Sequence, residues 1–288
     1  MNDSAPSRRA RGRRLRTWGT VLAIAQVGAT VGLLTVLDER PRGLPAERDR
    51  AQAQNATTTT APETGGPLPL RTPSAKAPLR LWVGGDSLAA GPSWATFEAA
   101  QATGVVKPLA EYQVGTGIVR DEYWDWTRHM DAVLRARDPE VVMFMVGTND
   151  DQPLAVDGVS YQPGAPQWDN EYRRRVGALM DLMTTDGRRL FWIANPPMAK
   201  ADFSAVMGHV NDIYQTEAAK RPAVIYIDTW KMFSVPGSPG TYAASLPDQF
   251  GRLSEVRLND GIHLNVEGSQ RMAHALMSKL GELTKLGP

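Results

Sequence analysis

The stretch Leu79-Arg80-Leu81-Trp82-Val83-Gly84-Gly85-Asp86-Ser87-Leu88-Ala89-Ala90-Gly91 passes from an apolar run straight into two glycines, an aspartate and a serine. Leu79–Val83 has the composition of a strand buried on both faces. The glycines end it, and a helical segment from Leu88 to about Thr103 follows. Strand, tight turn and helix make the opening half of a βαβ unit. At such a junction Ser87 reads in two ways. Ser and Asp both cap a first helical turn by accepting its free N–H groups. A serine at a helix start also has a backbone N–H directed at its own reacting centre, which suits a nucleophile.

Outward from that junction the same pattern repeats. "VVMFMV" (141–146), "RLFWIA" (189–194) and "AVIYID" (223–228) are short apolar runs of the kind buried parallel strands need. Between them Tyr172, Val176, Leu179, Met180 and Met183 fall on one helical face. The alternation predicts right-handed crossovers and a parallel sheet with helices on both sides, a three-layer α/β/α sandwich over residues 79–288. Ligands of such sheets bind beyond the carboxyl ends of the strands.

The residues before this domain differ in kind. Residues 1–16 carry six arginines against Asp3. Thr17 to Leu37 is 21 residues without a charge, long enough to cross a ~30 Å hydrocarbon core. The basic flank predicts that it inserts with the N-terminus inside and the rest outside, an uncleaved anchor rather than a shorter signal peptide. Residues 38–78, rich in Pro, Ala and Thr, lack periodicity and read as a disordered tether. Within it Asn55-Ala56-Thr57 matches a glycosylation triplet. The localisation expected is a single-pass membrane protein with its C-terminal domain outside the cytoplasm.

The net charge of +1 divides into +5 for residues 1–16, +1 for 17–78 and −5 for 79–288. A mildly acidic domain is poorly suited to nucleic acid. With no cysteine in the chain, disulfides, thiolate metal sites and a cysteine nucleophile are excluded.

A serine nucleophile needs a base and a group to orient it. Of the four histidines, His129, His209 and His274 lie in helical or aromatic surroundings. His263 lies in "LNDGIHLNVEG", three residues after Asp260, so one short loop can set the carboxylate against the imidazole. A solvated turn with an incidental histidine is the plainer alternative. Asn149, in "VGTND" after the run 141–146, suits either a turn or an oxyanion donor. Gly115 and Gly117 in "YQVGTGIVR" suit either a loop or an exposed backbone N–H.

Taken in order, Gly-Asp-Ser-Leu, the glycine loop, Gly-x-Asn-Asp and Asp-x-x-His resemble the SGNH (GDSL) hydrolase superfamily over residues 79–282. "TGIVRDEYWDW" (116–126) and "IANPPM" (193–198) leading to "YIDTW" (226–230) resemble one membrane-anchored bacterial subfamily of it. The resemblance implies a flavodoxin-like sheet and a Ser87–His263–Asp260 triad. It implies an oxyanion hole from the Ser87 N–H, a glycine N–H (Gly117 ahead of Gly115), and the Asn149 side chain. Asp86 belongs to the same motif and is expected to brace the turn. No metal or organic cofactor is implied.

An extracytoplasmic esterase acting on O-acyl groups, above all O-acetyl, of an envelope carbohydrate or glycolipid is the expected activity. An O-acyltransferase working with a membrane acyl-donor partner uses the same triad, and a non-catalytic glycan-binding protein uses the same fold. Arg120, Trp124 and Trp126 are candidate substrate contacts, with Trp94, Trp168, Tyr172 and Arg128 nearby in sequence and core packing as the alternative for each aromatic. Residues 151–170 exceed a normal connection and are expected to form a lid or wall.

Overall fold

The computed structural model describes residues 70–285. The basic segment, the apolar span 17–37, the glycosylation triplet and the tether up to residue 69 lie outside the described residues. Among the described residues no helix is long and apolar enough to cross a membrane.

Strand β1 (Leu79–Gly85) leads into helix α1 (Ala90–Ala102), strand β2 (Val106–Tyr112), helix α2 (Trp126–Arg137) and strand β3 (Val141–Met145). A short hairpin follows, β4 (Leu154–Val156) and β5 (Val159–Tyr161), then α3 (Pro166–Met183), β6 (Arg189–Ile193), α4 (Ala201–Ala218), β7 (Val224–Ile227) and α5 (Thr229–Met232). A second hairpin, β8 (Ser245–Pro247) and β9 (Leu253–Glu255), precedes α6 (Val266–Thr284). Strands β2-β1-β3-β6-β7 form one sheet in that order, every pairing parallel. All four apolar runs are strands of it. Burial on both faces explains their unbroken hydrophobicity, since β3 and β6 are buried at every position.

Two cores flank the sheet. One packs β-strand side chains against α1 and α6, the other against α2, α3 and α4. The expected three-layer sandwich is therefore present. The order reverses between β1 and β3, the place where open α/β sheets leave a crevice at their carboxyl ends. Ser87 follows β1 and Asn149 follows β3.

Two expectations are revised. The described fold reaches back to residue 70, so residues 70–78 belong to the domain and not to the expected tether. The Leu70 N–H donates to Leu283 O at 3.0 Å. The Arg71 guanidinium grips Glu140 through Nε and Nη2 at 2.6 and 2.8 Å while donating to Ala77 O and Pro78 O. One arginine fork supplies the docking that hydropathy does not signal. Residues 151–170, expected as a lid or wall, contain the β4–β5 hairpin, turning on Asp157 and Gly158 with left-handed φ, and the start of α3; Leu154 is buried in the core with α3.

Candidate active site

The turn after β1 is built by Asp86. Its Oδ1 accepts the Leu88 N–H at 2.9 Å and so caps the short 3-10 turn Ser87–Ala89. Its Oδ2 accepts from Gly147 N, Thr148 N and Thr148 Oγ1 at 2.9, 3.0 and 2.6 Å. Asp86 thereby ties the tip of β1 to the tip of β3. Burial pushes its pKa up to about 6, the hydrogen bonds from Thr148 and Leu88 only partly opposing this. The glycine before it lets the strands approach: a Cβ on Gly85 would lie 1.6 Å from Met145 O. The capping role considered for Ser87 therefore belongs to Asp86, because an aspartate one residue earlier reaches the free N–H. The Ser87 hydroxyl is left for other work.

That hydroxyl meets His263. Nε2 of His263 lies 3.0 Å from Ser87 Oγ, and Nδ1 lies 2.7 Å from Asp260 Oδ2. Asp260 is held by its own loop, since Oδ1 accepts from Ile262 N at 2.8 Å and His263 N at 2.9 Å. Desolvation alone would raise its pKa. The two backbone donors and the imidazole outweigh it and hold the carboxyl below its ordinary range. Leu258 N–H to His263 O at 2.9 Å closes the loop, and Asn265 caps α6 by accepting from Gly268 N at 2.9 Å. Two other histidines also face carboxylates, His209 with Asp169 at 2.7 Å and His129 with Glu111 at 3.4 Å. What separates His263 from them is the serine at its second nitrogen.

The three donors expected for an oxyanion hole lie on the segments that follow β1, β2 and β3. Asn149 Nδ2 gives one hydrogen to Thr116 O at 2.8 Å, leaving the other. Neither the Ser87 N–H nor the Gly117 N–H meets an acceptor among the described residues. Gly115, with left-handed φ of 75°, is a turn residue beside the Tyr123 ring. Gly117 is required for another reason: a Cβ there would lie 2.1 Å from Asp150 Oδ1.

The candidate substrate contacts divide. Trp126 is only 3 % exposed and donates through Nε1 to Thr116 Oγ1 at 3.2 Å, so it supports the glycine loop from within the core and is not a contact surface. Trp168 and Tyr172 are fully buried and stacked on each other. Trp94 is exposed on α1. Trp124 packs edge-on to Trp126 and borders an open groove of about 460 Å³ lined also by Asp121, Glu122, Tyr123, Arg128 and His129. Arg120 pairs with Glu122 at 3.1 Å and lies over the Tyr123 ring. Exposed Tyr123 was missed from the sequence, where nothing separated it from its aromatic neighbours. Among the described residues no group of three or more His, Cys, Asp or Glu is arranged to hold a metal ion.

A family model described as Protein of unknown function (DUF459) matches residues 80–279. The chain belongs to DUF459. Among solved structures, this DUF459 chain resembles a GDSL-like lipase from Bacteroides thetaiotaomicron at TM-score 0.50 and 13% identity, covering 74% of this chain and 92% of that one. It resembles a provisionally assigned acylhydrolase from Bacteroides fragilis at TM-score 0.51 and 12% identity, covering 74% and 91%. At such identities the likeness is one of fold, and the fold of this DUF459 domain is that of the SGNH/GDSL hydrolases. No curated protein matches the sequence.

Proposed function

We propose that this protein is a serine esterase that removes O-acyl groups, above all O-acetyl, from a carbohydrate or glycolipid of the cell envelope. The relay Ser87 Oγ–His263–Asp260, with contacts of 3.0 and 2.7 Å, carries the reading. Neutral His263 accepts the Ser87 proton through Nε2 as Oγ attacks the ester carbonyl. Asp260 keeps the proton on Nδ1 and stabilises the imidazolium that forms. The Ser87 N–H, the Gly117 N–H and the free hydrogen of Asn149 Nδ2 receive the oxyanion. Collapse breaks the bond to the alcohol, which leaves with the proton from His263. Water then resolves the acyl-Ser87 ester by the same steps in reverse order.

The carbohydrate assignment is supported by the groove that Tyr123 and Trp124 line together with Asp121 and Glu122, carboxylates able to accept sugar hydroxyls. Placement outside the cytoplasm rests on the apolar span 17–37 and its basic flank.

The test incubates the full chain with an activated acetyl ester, with and without an acetylated oligosaccharide, and follows products by mass. Free acetate and an acetyl adduct on Ser87 are expected. Acetyl transferred to sugar in preference to water would make the protein a transferase. An absence of turnover together with failure of a fluorophosphonate to label Ser87 would leave a glycan-binding protein.

A further inference from the structure

We propose that Asp150 is a positioning residue that sets the Gly117 N–H and the Asn149 amide as one unit; the inference rests on the esterase reading above. Asp150 is fully buried. Its Oδ2 accepts from Ile118 N at 3.0 Å and Tyr172 Oη at 2.7 Å, and its Oδ1 accepts from Val119 N at 2.9 Å. The residue before it in the chain, Asn149, holds Thr116 O at 2.8 Å. Two consecutive residues thus grip positions 116, 118 and 119 and leave Gly117 between them with its N–H unclaimed.

The other side of the same segment is also held. Arg175 Nη1 donates to Ile118 O and Val119 O, each at 3.0 Å. Asp150 differs from Arg175 in following Asn149 directly, so a shift of its carboxyl moves both oxyanion donors together. It also fits only against glycine, given the 2.1 Å approach to a Cβ at 117. Three donors converge on it, and an ionised carboxyl accepts without bringing hydrogens of its own. An amide of the same shape turns two hydrogens toward them. Donors to a developing charge must hold position to a fraction of an ångström, so loosening this grip acts on the transition state more than on bound substrate.

The experiment compares wild type, Asp150→Asn, Asn149→Ala and the double variant. Each is assayed for kcat and KM on an activated acetyl ester and for the rate of fluorophosphonate labelling at Ser87. Asp150→Asn should lower kcat and the labelling rate about 10- to 100-fold, below the loss typical of deleting an oxyanion donor outright, with KM within about twofold. On the Asn149→Ala background the same change should cost markedly less, because both changes disable one hole. Fully additive losses, or a raised KM with normal kcat, would overturn the inference. Should Asp150→Asn fail to fold, Tyr172→Phe removes one of the three donors without touching residues 116–119. It should lower kcat about 3- to 10-fold at constant KM, and an unchanged kcat would overturn the inference. A wild-type protein inert to ester and fluorophosphonate alike would sink the esterase reading and this inference together. An active wild type with a normal Asp150→Asn would sink this inference alone.

Discussion

Asp86 and Asp260 both lie within one contact of the Ser87 turn or its histidine, yet the molecule holds them in opposite ways. Asp86 is sealed under the strand tips, four donors fill its oxygens, and burial pushes its pKa up to about 6. Asp260 sits on a partly open loop, takes two backbone donors on one oxygen, and keeps the other for His263. Its pKa is held down rather than raised. A carboxylate that must answer a forming imidazolium keeps a lone pair facing the histidine and stays ionised. One that joins two strands gives both oxygens to the scaffold.

The contrast breaks first if the relay is not the working part. Ser87→Ala should cut ester turnover by about 10³-fold or more in a protein of near-normal melting temperature, because Asp86 keeps the cap. His263→Ala should match it, whereas His209→Ala and His129→Ala, despite their own carboxylate partners, should leave turnover within a few-fold. A damaging His209→Ala with a mild His263→Ala would undo the assignment.

The next effect is that of Asn149→Ala, with kcat lower by about 10²–10³ and KM little changed, the pattern of a lost transition-state donor. Kinetics and melting on one preparation decide it. A lower melting temperature with normal kcat would make Asn149 a turn residue.

Smaller effects sharpen the comparison through stability. Asp86 binds its proton to about pH 6 when folded, against about 4 unfolded. Its contribution is therefore full below about pH 4 and is lost as pH rises through about 6, on the order of 2–3 kcal/mol. Denaturant unfolding should show wild type losing ground to Asp86→Asn between those limits. Asp260 works with the opposite sign: its contribution is present above the ordinary carboxyl range and fades as pH falls below it. Wild type should gain on Asp260→Asn with rising pH, by less than the Asp86 change. Parallel curves for the two variants would mean that both carboxylates do the same job.

The strands were readable because a strand buried on both faces is written as an unbroken apolar run, as in Val141–Met145. The Asp260–His263 pair was readable because its geometry lies within one loop. Contacts across the chain left no such trace. Nothing in "DEYWDW" tells the buried Trp126 from the exposed Tyr123, since that depends on where α2 begins. Arg71 looked like tether until its partner Glu140, 69 residues on, was in place. The Asn149-Asp150 pair was visible, but the grip of Asp150 on Ile118 and Val119 appears only when the loop after β2 meets the loop after β3.

The Arg71 clamp also fixes a direction. Glu140 stands at the start of β3, and Leu283, which holds Leu70, lies at the far end of α6. His263 lies just before the near end of that 19-residue helix, about 28 Å away along its axis. The chain therefore enters and leaves the domain at the pole opposite the cleft. A long polymer can therefore approach Ser87 without meeting the Arg71 clamp.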